Sequence, residues 1–414
     1  MKSYMLAVAF LVILSAIPSF GQGAPTSKHI FYIDAKNHVD MFWQEYIASE
    51  GVFAWEWQDL TATTGAPAPI SGSRLTSFGD IFGGHVIYLG ASQHVYQLYW
   101  NPSSNSWGYG DLTSTAGAPA AVAGTQLTSF SDSPGEHVIY SGTNNHVYQL
   151  YFNAGLLKWG YGDLTATAGA PSAVSKSPLA SFVDSPGEHI LFLGTNQHIY
   201  QLYWNSGNHE WGYGDLTAAT GNTLAATNTT LTGFADSSNV EHVGYLGPNQ
   251  HVYELYDNGS WHNRDLSALT GNTLALSGGV ISGFYDKSDA YYGPGGEHYF
   301  YVGAKQHIDL LLSTNGGSSW TNTDITAAIG GSQVGAVVVI GAGVTSTPGS
   351  DPGCCSSPVL YDEVDFVAIG QYLYGYSYVP SKWISTDYSQ NPNGPPGDYY
   401  PLVASGSSLT GYIR

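Results

Sequence analysis

Short apolar runs recur along the chain, rich in β-branched and aromatic residues and bounded by Gly, Asn, Ser or Pro. Such runs predict β-strands, and no long segment of 3.6-residue periodicity competes with them. One stretch shows the order. "LTSF" (Leu127 to Phe130) predicts a first strand and "HVIYSG" (His137 to Gly142) a second. "HVYQLYF" (His146 to Phe152) predicts a third, across a turn containing Asn144 and Asn145, and "KWGYGDL" (Lys158 to Leu164) a fourth. "TAGAPSAVSKS" then leads to the next such group.

The group repeats. A histidine after a turn stands at His38, His94, His146, His198, His251 and His307, spaced by 52 to 56 residues. Nine residues before each stands another: His29, His85, His137, His189, His242 and His298. Trp-x-x-x-Asp follows in each unit: Trp55/Asp59, Trp107/Asp111, Trp159/Asp163, Trp211/Asp215, Trp261/Asp265 and Trp320/Asp324. A seventh, degenerate unit keeps only Trp383/Asp387, with Asp365 in the histidine place. A period near 50 with four short strands per unit predicts a β-propeller. The first unit enters at a second strand, "HIFYID" (His29 to Asp34), and the chain ends on "LTGY" (Leu409 to Tyr412), a first strand without followers. Pairing the two would close the ring and remove a free sheet edge. The expectation is an all-β, seven-bladed β-propeller forming one domain over residues 22–414, its C-terminal strand completing the N-terminal blade. "STNGGSSW" (Ser313 to Trp320) is close to the Asp-box turn of many propellers, with Asn315 in the Asp place.

The first 21 residues stand apart. Lys2, the apolar run Met5 to Ile17 and the small-residue stretch ending at Gly21 predict a secretory signal peptide, residues 1–21. No other stretch is long and apolar enough to span a bilayer. The expectation is therefore a secreted, extracellular protein, or a periplasmic one in a bacterium, without membrane insertion. The formal charge of −20 and the presence of only three arginines, Arg74, Arg264 and Arg414, argue against nucleic acid and anionic lipid as partners. Aromatic residues (14%) outnumber charged ones (10%), so tyrosine is available as a polar-tipped contact residue. Cys354 and Cys355 are neighbours and cannot staple distant segments.

Residues kept in every unit read as scaffold. The tryptophan is large enough to wedge between sheets, and the aspartate carboxylate can accept backbone N–H groups in an Asx turn. The histidine after the turn reads as a turn anchor bonded to backbone. The two histidines of one hairpin are separated by roughly 13–17 Å of ladder, too far to share an ion. Neither metal nor cofactor is expected.

Residues that vary read as a binding surface. Twelve residues after the first histidine stands Gln97, Gln149, Gln201 or Glu254 in units two to five, but Met41 and Leu310 in units one and six. This yields four polar pairs, His85/Gln97, His137/Gln149, His189/Gln201 and His242/Glu254, expected at exposed sites. An odd-length hairpin loop would set both members of a pair diagonally on one face. Tyr109, Tyr161 and Tyr213 occur only in units two to four and are candidate stacking platforms for a sugar ring.

The unit "…LTSF…HVIY…HVYQLY…W…" resembles the repeat of the fucose-binding β-propeller lectins of fungal fruit bodies and their bacterial relatives. Those repeats carry an Arg on the second strand and a Glu on the third, and bind sugar between blades. The resemblance places the Arg position on His85, His137, His189 and His242, and the Glu position on Gln97, Gln149, Gln201 and Glu254. Only Glu254 keeps the family residue, and many of those lectins have six blades. The resemblance implies a multivalent carbohydrate-binding lectin without catalysis. It would take cell-surface or free glycans, fucose-type neutral sugars first, with several weak pockets on one rigid ring raising avidity. The alternatives are a protein-binding or structural propeller and a propeller glycosidase. A sialidase would need three clustered arginines, and another glycosidase two paired carboxylates that break the repeat. Glu45, Glu50, Asp257 and Asp309 break it, but nothing groups them. The oligomeric state stays open.

Overall fold

The computed structural model describes residues 28–47, 52–80, 83–132, 135–185, 187–221, 223–271, 273–286, 296–329, 344–351, 359–367, 373–379, 382–387 and 409–413. Side chains of residues 28, 44–54, 344–387 and 411–413 are not among them. The expected signal segment 1–21, Glu50 and the Cys354–Cys355 pair lie outside the described residues.

Every sheet is antiparallel, and in all but the first blade the strands follow sequence order from the inside outward. The second blade comprises Thr76–Gly79, Gly84–Leu89, Val95–Asn101 and Ser106–Asp111, and the third Leu127–Ser131, Glu136–Ser141, Val147–Asn153 and Lys158–Asp163. The fourth is built from Leu179–Val183, Glu188–Leu193, Ile199–Asn205 and Glu210–Asp215. The fifth has Leu231–Ala235, Glu241–Leu246, Val252–Asp257 and Trp261–Asp265. The sixth has Ile281–Asp286, Gly296–Val302, Ile308–Ser313 and Thr321–Asp324. In the first blade the inner strand is C-terminal: Thr410–Ile413 pairs with Lys28–Ile33, followed by Val39–Ile47 and Val52–Asp59. Ser77 Oγ lies 2.8 Å from Thr410 Oγ1, so the C-terminal strand also bonds to the second blade.

The expectation of a seven-bladed β-propeller, its seventh unit degenerate, is corrected to six blades. Each of these six sheets runs from its outer strand into a short helical turn, such as Leu164–Ala168, capped by the aspartate of Trp-x-x-x-Asp. A further four-stranded sheet, Val344–Asp351, Val359–Val367, Leu373–Val379 and Lys382–Asp387, lies between the sixth and first blades, its inner strand touching theirs. No such helix follows it among the described residues. The sequence reason is local: this segment has no histidine after its turn and lacks the Leu-Thr or similar pair that starts each helical turn.

The helical turns were not evident from periodicity because four or five residues are too few to show a 3.6 repeat. They form because Asp163 accepts from Ala166 N at 2.9 Å, and Gly169 ends the turn at φ 68°, a conformation that favours glycine. The capping aspartate holds the turn histidine too. His146 Nδ1 donates to Asp163 at 2.8 Å, so the histidine anchors to a carboxylate rather than to backbone as expected. The clamp recurs at His38–Asp59, His94–Asp111, His198–Asp215, His251–Asp265 and His307–Asp324.

The core lies between blades. One buried cluster joins Phe31, Met41 and Leu60 of the first blade to Val86, Leu98 and Trp107 of the second. Phe31 and Trp107 meet edge to face at 6.2 Å. Equivalent clusters join each later pair up to the fifth and sixth blades, with Trp159, Trp211, Trp261 or Trp320 in each, so the tryptophans wedge between sheets. The Asp-box-like turn joins the outer strands of the sixth blade. There Ser313 Oγ accepts from Gly317 N and Asn315 Oδ1 from Ser319 N.

Candidate functional site

The polar pairs sit on adjacent strands. Gln149 pairs across from Ile139 and His137 from Tyr151, so His137 and Gln149 are diagonal neighbours on one face. The five residues between Ser141 and Val147 supply the odd loop this requires. Asn145 takes φ 62° in that turn, and Gly142 leaves room for the Tyr148 ring, which a Cβ would meet at 2.5 Å.

The pairs are not exposed as expected. His85, Gln97, His137, Gln149, His189 and Gln201 are all at least nine-tenths buried, facing the next blade. The third blade shows the arrangement. Gln149 Nε2 donates to His137 Nδ1 at 2.9 Å and to Glu188 of the fourth blade at 2.7 Å. The other ring nitrogen of His137 donates to Asp132 at 3.0 Å. Phe130 stacks on the imidazole, centroids 4.8 Å apart. The same four-residue network joins the second blade to the third through Asp80, His85, Gln97 and Glu136. It joins the fourth to the fifth through Asp184, His189, Gln201 and Glu241. Each ring is thus held between an amide N–H at Nδ1 and an aspartate carboxylate at Nε2.

The environment divides the carboxylates. Burial pushes the Glu136, Glu188 and Glu241 carboxyls above their usual range, the histidine and glutamine partners only partly offsetting it. Burial also opposes ionisation of Asp132 and Asp184, but the contacts with His137 and His189, hydrogen bond first, prevail and hold both below the usual range.

The fifth blade is built differently. Glu254 is fully buried and accepts from His242 Nδ1 at 2.8 Å, Arg264 at 3.1 Å and Tyr299 of the sixth blade at 3.1 Å. Arg264 lies 3.7 Å above the Tyr256 ring. It fits because Gly317 has no side chain: a Cβ there would overlap its guanidinium. Among the described residues an Arg–Glu pair of the kind the resemblance implies is seen at Arg264–Glu254, with the arginine on the outer strand instead of the second. In the first and sixth blades Met41 and Leu310 are buried in apolar contacts instead.

Tyr109, Tyr161 and Tyr213 are 42–44% exposed. Each points to the opposite face of its blade from that blade's polar pair, because Tyr161 pairs with Leu150 while Gln149 pairs with Gly162. Each cleft therefore combines residues from two units: His85/Gln97 with Tyr161, and His137/Gln149 with Tyr213. Sequence reasoning missed the inter-blade Glu136, Glu188, Glu241 and Glu297, the aspartates at 80, 132, 184 and 236, and Arg264. The signal was present, since each of these glutamates directly precedes a second-strand histidine and each aspartate stands five or six residues before one.

No protein-family profile and no curated protein matches the sequence. Solved structures do match. The BP39L lectin from Burkholderia pseudomallei superposes with TM-score 0.63 at 14% identity, over 88% of this chain and 96% of that one. The Aleuria aurantia lectin, described as a six-bladed β-propeller with a fucose recognition mode, superposes with TM-score 0.52 at 14% identity, over 81% of this chain and 97% of that one. AofleA from Arthrobotrys oligospora gives 0.53 at 13%, over 82% and 88%. The fold is that of the propeller lectins. At this identity the likeness is one of architecture, and the clefts of this propeller carry His-Gln-Glu networks of their own. Among the described residues no helix is long and apolar enough to cross a membrane.

Proposed function

We propose that the chain is a secreted, multivalent glycan-binding protein without catalytic activity, taking neutral fucose-type sugars at its inter-blade clefts. The observation that carries this reading is that the exposed rings of Tyr161 and Tyr213 lie on the blade faces that turn toward two successive clefts, each holding the same polar network. A sugar needs an apolar platform and fixed polar partners. Tyr161 and Tyr213 supply the first, and the partly exposed edges of Asp80, Asp132, Glu136 and Glu188 the second. The buried His-Gln pairs position those carboxylates and do not themselves lie open to solvent. Single sites would be weak, and a glycan-coated surface would bind far better than a free monosaccharide. Secretion rests on the N-terminal segment 1–21, and recovery of a mature chain starting near Gln22 from culture medium would test it.

The decisive experiment is a glycan array with the parent and the Tyr109→Ala/Tyr161→Ala/Tyr213→Ala variant. Binding of the parent, lost in the variant with its fold intact, supports the reading. No glycan bound at high protein density passes the case to a protein-binding propeller. That second reading draws on Leu156 and Leu157, two strongly exposed leucines at one outer hairpin tip.

A further inference from the structure

The cleft between the fifth and sixth blades reverses the histidine. In the three preceding clefts Nδ1 accepts from glutamine and Nε2 donates to an aspartate. Here Nδ1 faces the Glu254 carboxylate at 2.8 Å, which can only accept. The proton of a neutral His242 is therefore on Nδ1, and Nε2 carries a lone pair. A carboxylate behind one imidazole nitrogen is the usual orienting partner of a histidine that binds metal through the other.

The loop before His242 is one residue longer than its counterparts, six steps from Asp236 instead of five. Asp236 Oδ1 accepts from Ser238 N and Val240 N, both at 2.8 Å, and makes no bond to the imidazole. His242 Nε2 and Glu297 Oε2 are left without hydrogen-bond partners, on side chains 2% and 1% exposed. A buried polar atom without a partner is costly, so each orphan calls for one. Asp236, His242 and Glu297 offer one ligand atom apiece, all within 4.8 Å of one another. The similar triads at Asp80/His85/Glu136, Asp132/His137/Glu188 and Asp184/His189/Glu241 have their ring nitrogens occupied by hydrogen bonds.

We propose that Asp236, His242 and Glu297 bind one divalent transition-metal ion of the zinc type between the fifth and sixth blades. One imidazole and two carboxylates suit zinc better than calcium or magnesium, and water would complete the shell. Bonds of about 2.0–2.2 Å to a tetrahedral ion require the side chains to close by roughly 1 Å. The ion satisfies both orphan atoms and neutralises two carboxylates, one from each blade. The charge of Glu254 is already met by Arg264.

The test uses the full chain after chelation and dialysis, titrated with Zn²⁺ in a calorimeter and with Co²⁺ in a spectrophotometer. The expected result is one ion per chain, a visible Co²⁺ d–d band, and a melting temperature that rises with Zn²⁺ concentration. Glu297→Gln and Asp236→Asn should each weaken binding at least tenfold and remove the band, while Glu188→Gln, in a cleft whose histidine is occupied, should leave both unchanged. Asp236 is partly exposed, so its variant keeps the test open if Glu297→Gln does not fold. No Zn²⁺ binding, binding unchanged in Asp236→Asn, or equal loss in Glu188→Gln overturns the proposal. None of these readouts depends on sugar binding.

Discussion

His146 and Asp163 are 17 residues apart, and their side chains meet at 2.8 Å. The other carboxylate oxygen of Asp163 caps the helical turn Leu164–Ala168. One carboxylate thus ties the hairpin turn between the second and third strands to the end of the outer strand. Asp163→Asn should destabilise the protein by about 1–2 kcal/mol, chiefly through the cap. His146→Ala should cost less, because the pair is partly exposed. The double variant should fall short of the sum, and chemical denaturation of all four proteins measures the coupling.

The C-terminal strand closes the first blade. Deleting residues from Leu409 onward removes the pairing with Lys28–Ile33, the buried Leu409 side chain and the Thr410–Ser77 bond. The truncated chain should lose several kcal/mol and aggregate more readily, since an unpaired strand edge is exposed. A thermal melt matching that of the full chain would refute the closure.

Gln149 links His137 to Glu188 across a blade boundary while buried. Gln149→Ala should therefore cost about 1–3 kcal/mol, as expected for leaving buried partners unsatisfied. Tyr161→Ala, at an exposed ring, should stay within about 0.5 kcal/mol. Comparable melting shifts would show that the buried network adds nothing to stability.

Asp40 and Asp309 stand where units two to five have Tyr96, Tyr148, Tyr200 and Tyr253. Burial, then the neighbouring Asp34 and Asp59, pushes the Asp40 carboxyl up to about 8; burial, then Asp324, pushes Asp309 up to about 7. Both are raised above their unfolded values, so the native state holds protons that the unfolded state releases. Their stabilisation is present below about pH 4 and is lost as pH rises through 7 to 8. Asp40→Asn with Asp309→Asn should flatten the decline and raise the melting temperature at pH 8, with little change at pH 4. An unchanged pH profile would contradict the burial of these carboxyls.

The sequence by itself determined what is local or repeated. Strand positions, turn histidines and the scaffold role of Trp-x-x-x-Asp follow from apolar runs, turn chemistry and a period near 50. So does the match between the first unit, which lacks an inner strand, and the spare strand at Leu409 to Tyr412. Each is set by residues close in the chain or by comparison between copies. Tertiary structure decided what happens between copies. Whether Gln149 is exposed depends on how closely the next sheet packs, and its partner Glu188 is 39 residues away. Tyr161 serves the cleft of the preceding pair, because a pleated strand sends alternate side chains to opposite faces and only packing assigns each face a neighbour. Arg264 reaches Glu254 by lying over Gly317 of the sixth blade, a spatial accommodation no repeat alignment reveals. The six-fold unit beside a differently made sheet was decided in the same way, since pairing can assemble four strands from a segment whose sequence lacks the turn histidine.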